Sequence, residues 1–171
     1  MKNKFDIKFI IAIVLIILSV LSRFLSLPAN FSPIMAVALF SGMIFANKKI
    51  ALLIPISAML ISDIALGLHS TMFAVYLSFG LVVMLGINMK KPSVIGVMGN
   101  SILGAVIFFI VTNFAVWCAG WYGYSLESLG TCYLMAIPFF HNTLISSVLY
   151  SGLLFGGFYL ANKLSLRRAE A

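Results

Sequence analysis

Acid is what this sequence has least of. Four of its 171 residues are Asp or Glu, against 11 Lys or Arg and two His, and charged residues of every kind make up 9%. A solvated globular surface needs roughly a quarter of the chain charged, so that class is excluded. Hydrophobic residues reach 63% and mean hydropathy is +1.15, which reads as an integral membrane protein. Histidine and cysteine are equally scarce, at two each. There is no HExxH, no His pair at i and i+4 and no CxxC, so no metal site and no cofactor is expected. The glycines of "GVMGNSILG" (96–104) lack the Lys and the strand of a phosphate cradle, so the chain carries no ATP-hydrolysing loop. Ser62, Asp63 and His141 occur without a nucleophile elbow, and an enzyme is not expected. The net charge of +7 comes in short basic pairs between apolar segments, never as a patch, which argues against nucleic acid as a partner.

What is present is apolar sequence in runs. Hydropathy divides the chain into six segments, at 7–25, 32–46, 50–68, 71–88, 93–117 and 133–162. The second, "FSPIMAVALFSGMIFA", is short for a full span and asks for a thin or tilted arrangement. If all six cross, Lys2, Lys4, Lys8, "NKK" (47–49), "MKKP" (89–92) and "KLSLRR" (163–168) fall on one side, leaving Arg23 alone among the basic residues on the other. Positive charge is retained on the cytoplasmic face. The expectation is an all-α integral membrane protein of the bacterial inner membrane: one multi-pass domain over 1–171, a bundle of six transmembrane helices with both termini cytoplasmic. The first segment has the charged and apolar regions of a signal peptide, but no small-x-small cleavage site follows it, so it is read as a span. Gly96, Gly99, Gly104, Ser151, Gly152, Gly156 and Gly157 are read as small residues that let helix backbones approach.

With topology assigned, depth follows at about 1.5 Å per helical residue. Asp63 lies about 8 Å inside the outer boundary of the third span, with His69 at its mouth. His141 and Asn142 lie about 12–14 Å deep on the sixth. Asn113 and Trp117 share a face at the outer end of the fifth. Arg23 closes the first span on the same side, and Asn30 follows in the "LPANFSP" turn. Polar side chains are costly in hydrocarbon and face a cavity or one another. Their concentration in one leaflet points to an outward-opening pocket of Arg23, Asn30, Asp63, His69, Asn113, Trp117, Trp121, His141 and Asn142, suited to a ring-containing small molecule. His141 is also a candidate axial ligand for a corrinoid or haem substrate. Simpler roles stay open: Asp63 pairing with Arg23, the aromatics of 117–124 as interfacial anchors, and His141–Asn142 hydrogen bonding to a neighbouring helix. Cys118 and Cys132 flank the outer loop "CAGWYGYSLESLGTC" (118–132) and are a candidate disulfide or two free thiols.

The stretch "RFLSLPANFSPIMAVALFSGMIFANKKIALLIPISAMLISDIALGLH" (23–69) resembles the opening pattern of the substrate-binding S components of energy-coupling factor transporters. More closely, it resembles a family of small transport-type membrane proteins of unassigned substrate. Both share a helix, a Pro-containing turn, a small-residue helix, and a helix ending in an acid followed by Gly. The resemblance implies a vitamin-like micronutrient held near the outer surface under the loops 24–31, 69–71 and 118–132. It also implies a membrane coupling protein and two ATPases as partners, alongside the membrane lipid. The first helix departs from the pattern: S components that share a coupling module often carry two alanines four apart, whereas here Ala12, Ser19 and Ser22 stand at other spacings. The competing expectation, from a different class, is a structural or assembly subunit of a larger membrane complex.

Overall fold

The structure, a computed structural model, describes residues 3–89 and 92–169, with side chains described over 9–89 and 92–164. The chain is all-helical over this range. Six helices follow one another: α1 (Asn3–Phe24), α2 (Ile34–Ile44), α3 (Lys48–Leu66), α4 (Met72–Asn88), α5 (Val94–Cys118) and α6 (Leu126–Ala169). Local chemistry sets several of the boundaries. The Asn47 side chain accepts from the Lys49 amide at 3.0 Å to start α3, and Ser93, after Pro92, accepts from the Gly96 amide at 3.0 Å to start α5. These are N-caps that satisfy amides the helix leaves without partners. Ser125 does the same for Ser128 at 3.1 Å, so α6 begins at Leu126 and the expected loop 118–132 shrinks to 119–125. Gly67, at φ 114, ends α3 in a conformation that side chains disfavour.

Three helices are long and apolar enough to cross a membrane: Lys48–Leu66, Val94–Cys118 and Leu126–Leu164. Phe9–Phe24, Ile34–Ile44 and Met72–Asn88 are shorter apolar helices. Large apolar side chains such as Phe9, Ile17, Leu53, Ile64, Ile95 and Ile110 are exposed on the outside, a surface far more apolar than a soluble monomer carries. These features mark a membrane protein. Of the basic residues in the topology argument, Lys2, Lys90 and Lys91 lie outside the described residues, as do the side chains of Lys4, Lys8, Arg167 and Arg168.

The short second segment sits at the centre. Helix α2 touches every other helix, and Ile34 through Gly42 are all buried. A helix apolar all round belongs in a core, so α2 need not match the lipid thickness itself. Its eleven residues span about 16 Å at 1.5 Å per residue, well short of the surrounding helices. Closest packing is against α4, where Gly42 faces Gly86: a Cβ built on Gly42 would lie 3.0 Å from the Gly86 Cα and would overlap the Val83 carbonyl. The glycines expected to serve this purpose mostly do not. Gly99, Gly152, Gly156 and Gly157 face open space, and Gly96 meets its own helix cap, Ser93, at 3.1 Å, whereas Gly104 packs against another helix, with a Cβ position 3.2 Å from Val82. Phe40 of α2 stacks edge-on against Phe155 and Phe158 of α6, and Phe109 of α5 against Tyr133.

A ligand-sized cavity beneath the 25–33 segment

Because α2 starts late, at Ile34, the bundle is hollow at that end. A cavity of about 370 Å³ occupies the space. Its floor is Ile34 and Met35, its walls include Arg23, Met59, Val75, Phe79, Phe108, Thr143 and Ser146, and the 25–32 chain and His69 complete it. The covering segment is tied down in an ordered way. The Phe31 amide donates to the Pro28 carbonyl at 2.9 Å, and Asn30 between them has φ 63, the positive φ that a type II turn requires at its third residue. Asn142 of α6 donates to the Ala29 carbonyl at 2.9 Å. A second cavity of about 190 Å³ adjoins the first, sharing Asn30, Val75, Phe108 and Thr143, and extends to Thr112 and Asn113.

The buried acid has partners within the protein. Asp63 is completely buried, and its Oδ1 pairs with Arg23 Nη1 at 2.5 Å. Tyr76 of α4 donates to Oδ2 at 2.8 Å. Nη1 also reaches the Ser62 hydroxyl at 2.8 Å. Both ends of this pair follow from helix spacing. Ala12, Leu15 and Ser19 mark the buried stripe of α1, which Ser22 and Arg23 continue. Ala51, Ile54, Ala58, Met59, Ser62 and Asp63 form the stripe of α3. Of the two readings of Asp63, pairing with Arg23 is the one observed. Asp63 stands behind Arg23, while Arg23 reaches the cavity wall with 21% of its side chain exposed.

The other candidates separate. Arg23, Asn30 and His69 line the larger cavity, and Asn30 and Asn113 the smaller. His69 is exposed and contacts the Thr71 hydroxyl through Nδ1 at 3.2 Å. Asn142 anchors the covering segment. Trp117 donates to the Ser128 hydroxyl at 3.1 Å and so braces the 119–125 turn. Trp121 and Tyr124 are 70% and 72% exposed and line neither cavity, and Tyr124 sets its ring edge-on to Trp117. His141 is exposed and lines neither cavity. It lies two residues, about 200° around the helix, from Thr143. The buried face of α6 runs Cys132, Ala136, Thr143, Ser147, Ser151, Phe155, and that small-residue stripe already placed His141 on the opposite side. Of the two alternatives for Cys118 and Cys132, a disulfide or two free thiols, the second is observed. Both thiols are free, Cys118 exposed and Cys132 buried, because Cys132 turns inward and approaches the Asn113 carbonyl at 3.4 Å. Sequence reasoning missed Tyr76, Phe79 and Phe108, which carry no signal beyond being aromatic in an apolar run.

A larger apolar groove of about 850 Å³ lies at the opposite end, between the start of α5 and the second half of α6, with Ser93, Tyr159 and Asn162 as its polar members. No group of three or more His, Cys, Asp and Glu comes together among the described residues.

Fold and site together define a helical membrane protein with a small-molecule-sized cavity under an ordered segment at one end. The chain belongs to DUF6580, a family of unknown function, whose model matches residues 3–169. No curated protein matches the chain, and no solved structure does.

Proposed function

We propose that this protein is a six-span inner-membrane protein, both termini cytoplasmic, that binds a vitamin- or cofactor-sized molecule from the outer side and serves its uptake. The observation that carries the reading is the 370 Å³ cavity left by the short central helix. It falls near the lower end of the roughly 300–1,000 Å³ usual for small-molecule sites, with the usual mixture of apolar wall and a few convergent polar groups. Phe31, Phe79 and Phe108 offer faces for a ring, and Arg23, Asn30 and His69 offer hydrogen bonds. This volume suits one or two rings better than a macrocycle, so the corrinoid and haem options recede along with the outward-facing His141. The distribution of basic residues supports an outer position for the cavity end, since with six spans only Arg23 among Lys and Arg falls on that side in the sequence.

The chain has no nucleotide-binding loop, so ATP-driven uptake would require a partner, in keeping with the resemblance to S components and their coupling protein and ATPases. Contact with such a partner does not run through small residues on α1, because Ala12 and Ser19 face inward and Ser22 lines the cavity. The test is a thermal-shift screen of the detergent-purified protein against vitamins and cofactor precursors. A ligand site requires stabilisation by at least one compound, lost in Val75→Phe, which fills the wall shared by both cavities. A purified protein that responds to no compound and co-purifies with a stable partner, unaffected by Val75→Phe, would instead be an assembly subunit.

A further inference from the structure

We infer that the ligand carries a single carboxylate, and that Arg23 receives it through the Nε–Nη2 edge of its guanidinium. This rests on the reading of the cavity as a ligand site and names the substrate class for it. Every hydrogen bond Arg23 makes with the described residues comes from Nη1: to Asp63 Oδ1, to the Ser62 hydroxyl, and to the Met59 carbonyl and sulfur. Nε and Nη2 make none. Those two nitrogens form one edge of a planar fork whose N–H spacing matches the two oxygens of a carboxylate. Arg23 also lines the cavity, so the edge left open belongs to a side chain already on its wall.

The partners of Nη1 explain why the edge is ready. Asp63, held in turn by the Tyr76 hydroxyl at 2.8 Å, fixes one side of the guanidinium, and Ser62 accepts from the same nitrogen. An anchor whose rotamer is set before the ligand arrives loses little freedom on binding. The same partners limit the ligand's charge. Asp63 balances Arg23, and the lining of the cavity includes no Lys and no second Arg. A carboxylate in a bidentate pair adds one negative charge to that neutral pair, which the fork shares with Asp63. A phosphate dianion adds two with no further cation to meet them and costs more once out of water. A cationic ligand would meet Arg23 with no acid on the cavity wall to offset it.

The test compares, on the detergent-purified full chain, matched probes that differ only in this group. Nicotinate, benzoate and indole-3-acetate are each paired with the carboxamide and the corresponding amine, and phosphorylated analogues and inorganic phosphate form a further arm. Stabilisation by at least one carboxylate, with its carboxamide binding at least about tenfold more weakly, is expected from loss of a charge-assisted pair. Arg23→Lys, which keeps the charge and lacks the fork, should reduce that preference about tenfold. The wild-type comparison stands on its own if the variant does not fold. Equal binding of carboxamides or amines, or preference for the phosphorylated probes, overturns the carboxylate assignment and leaves the cavity reading intact. Absence of any response, here and across the wider vitamin and cofactor screen, overturns both.

Discussion

Replacing the partners of the buried pair one at a time and then together has unequal expected costs. Asp63 is fully buried, with Arg23 and Tyr76 as its side-chain partners. Arg23→Met therefore strands a carboxylate with one hydroxyl, and removal of one member of a buried pair typically costs about 3–5 kcal/mol. Asp63→Leu is milder. Arg23 keeps the Ser62 hydroxyl and, being 21% exposed on the cavity wall, keeps access to water, so about 1–3 kcal/mol is expected for the lost charged hydrogen bond. With both changed, no charge is left unpaired. Ser62 retains the Ala58 carbonyl at 2.8 Å, and only the Tyr76 hydroxyl loses its acceptor. The double variant should be more stable than Arg23→Met and should recover about 2–3 kcal/mol relative to additivity. SDS-driven equilibrium unfolding in mixed micelles, followed by tryptophan fluorescence, measures all four corners of the cycle. Additivity within about 0.5 kcal/mol would refute the pairing.

Packing at the centre makes a second contrast. Gly42→Ala and Gly86→Ala each drive a Cβ into backbone of the opposite helix and should destabilise by about 3 kcal/mol, the upper part of the overpacking range, because backbone cannot swing aside. Gly99→Ala meets nothing within 4 Å and should be neutral or stabilising by up to about 1 kcal/mol in the same unfolding assay. The free thiols should differ in reactivity: a maleimide labels exposed Cys118 in the folded protein and buried Cys132 only after unfolding, and mass spectrometry counts the adducts. A constitutive bridge would give no labelling without reductant. Asn142→Ala removes the donor to the Ala29 carbonyl, costing about 1 kcal/mol and raising hydrogen exchange selectively in 25–33; unchanged exchange there would show that the tie does not hold the segment.

Much of the architecture was legible because helices in this chain are bounded by features that carry their own signal. Six segments were read from hydropathy, and six helices are present with ends displaced by a few residues. The largest displacements, seven residues each, are at the two ends of α6, and the one at its start follows from Ser125 acting as a cap. The role of the short second segment was harder to see. Hydropathy shows that "FSPIMAVALFSGMIFA" is apolar but not that Ile34 through Gly42 are buried by the other helices, and the cavity exists because that helix is central and brief. Among site residues, those on buried stripes were recoverable: Arg23 and Asp63 continue the 3–4 spacing of small residues on their helices. Depth along the helix does not fix rotation about it: Ala136, Thr143, Ser147 and Ser151 define the inner face of α6 and leave His141 on the outer one. Tertiary geometry alone pairs Gly42 with Gly86 and brings Tyr76 to Asp63, since each is an ordinary residue of an apolar helix until its neighbour is known.

Whether the hollow end of the bundle holds a solute is tested most directly by native mass spectrometry of the protein extracted gently from cells grown in rich medium, because it requires no guess about the compound. A ligand site under the 25–33 segment should give a discrete small-molecule adduct on the wild-type chain that is absent from Val75→Phe. An adduct that persists unchanged with the shared wall filled, or a wild-type spectrum with lipid as its only bound species, would contradict it.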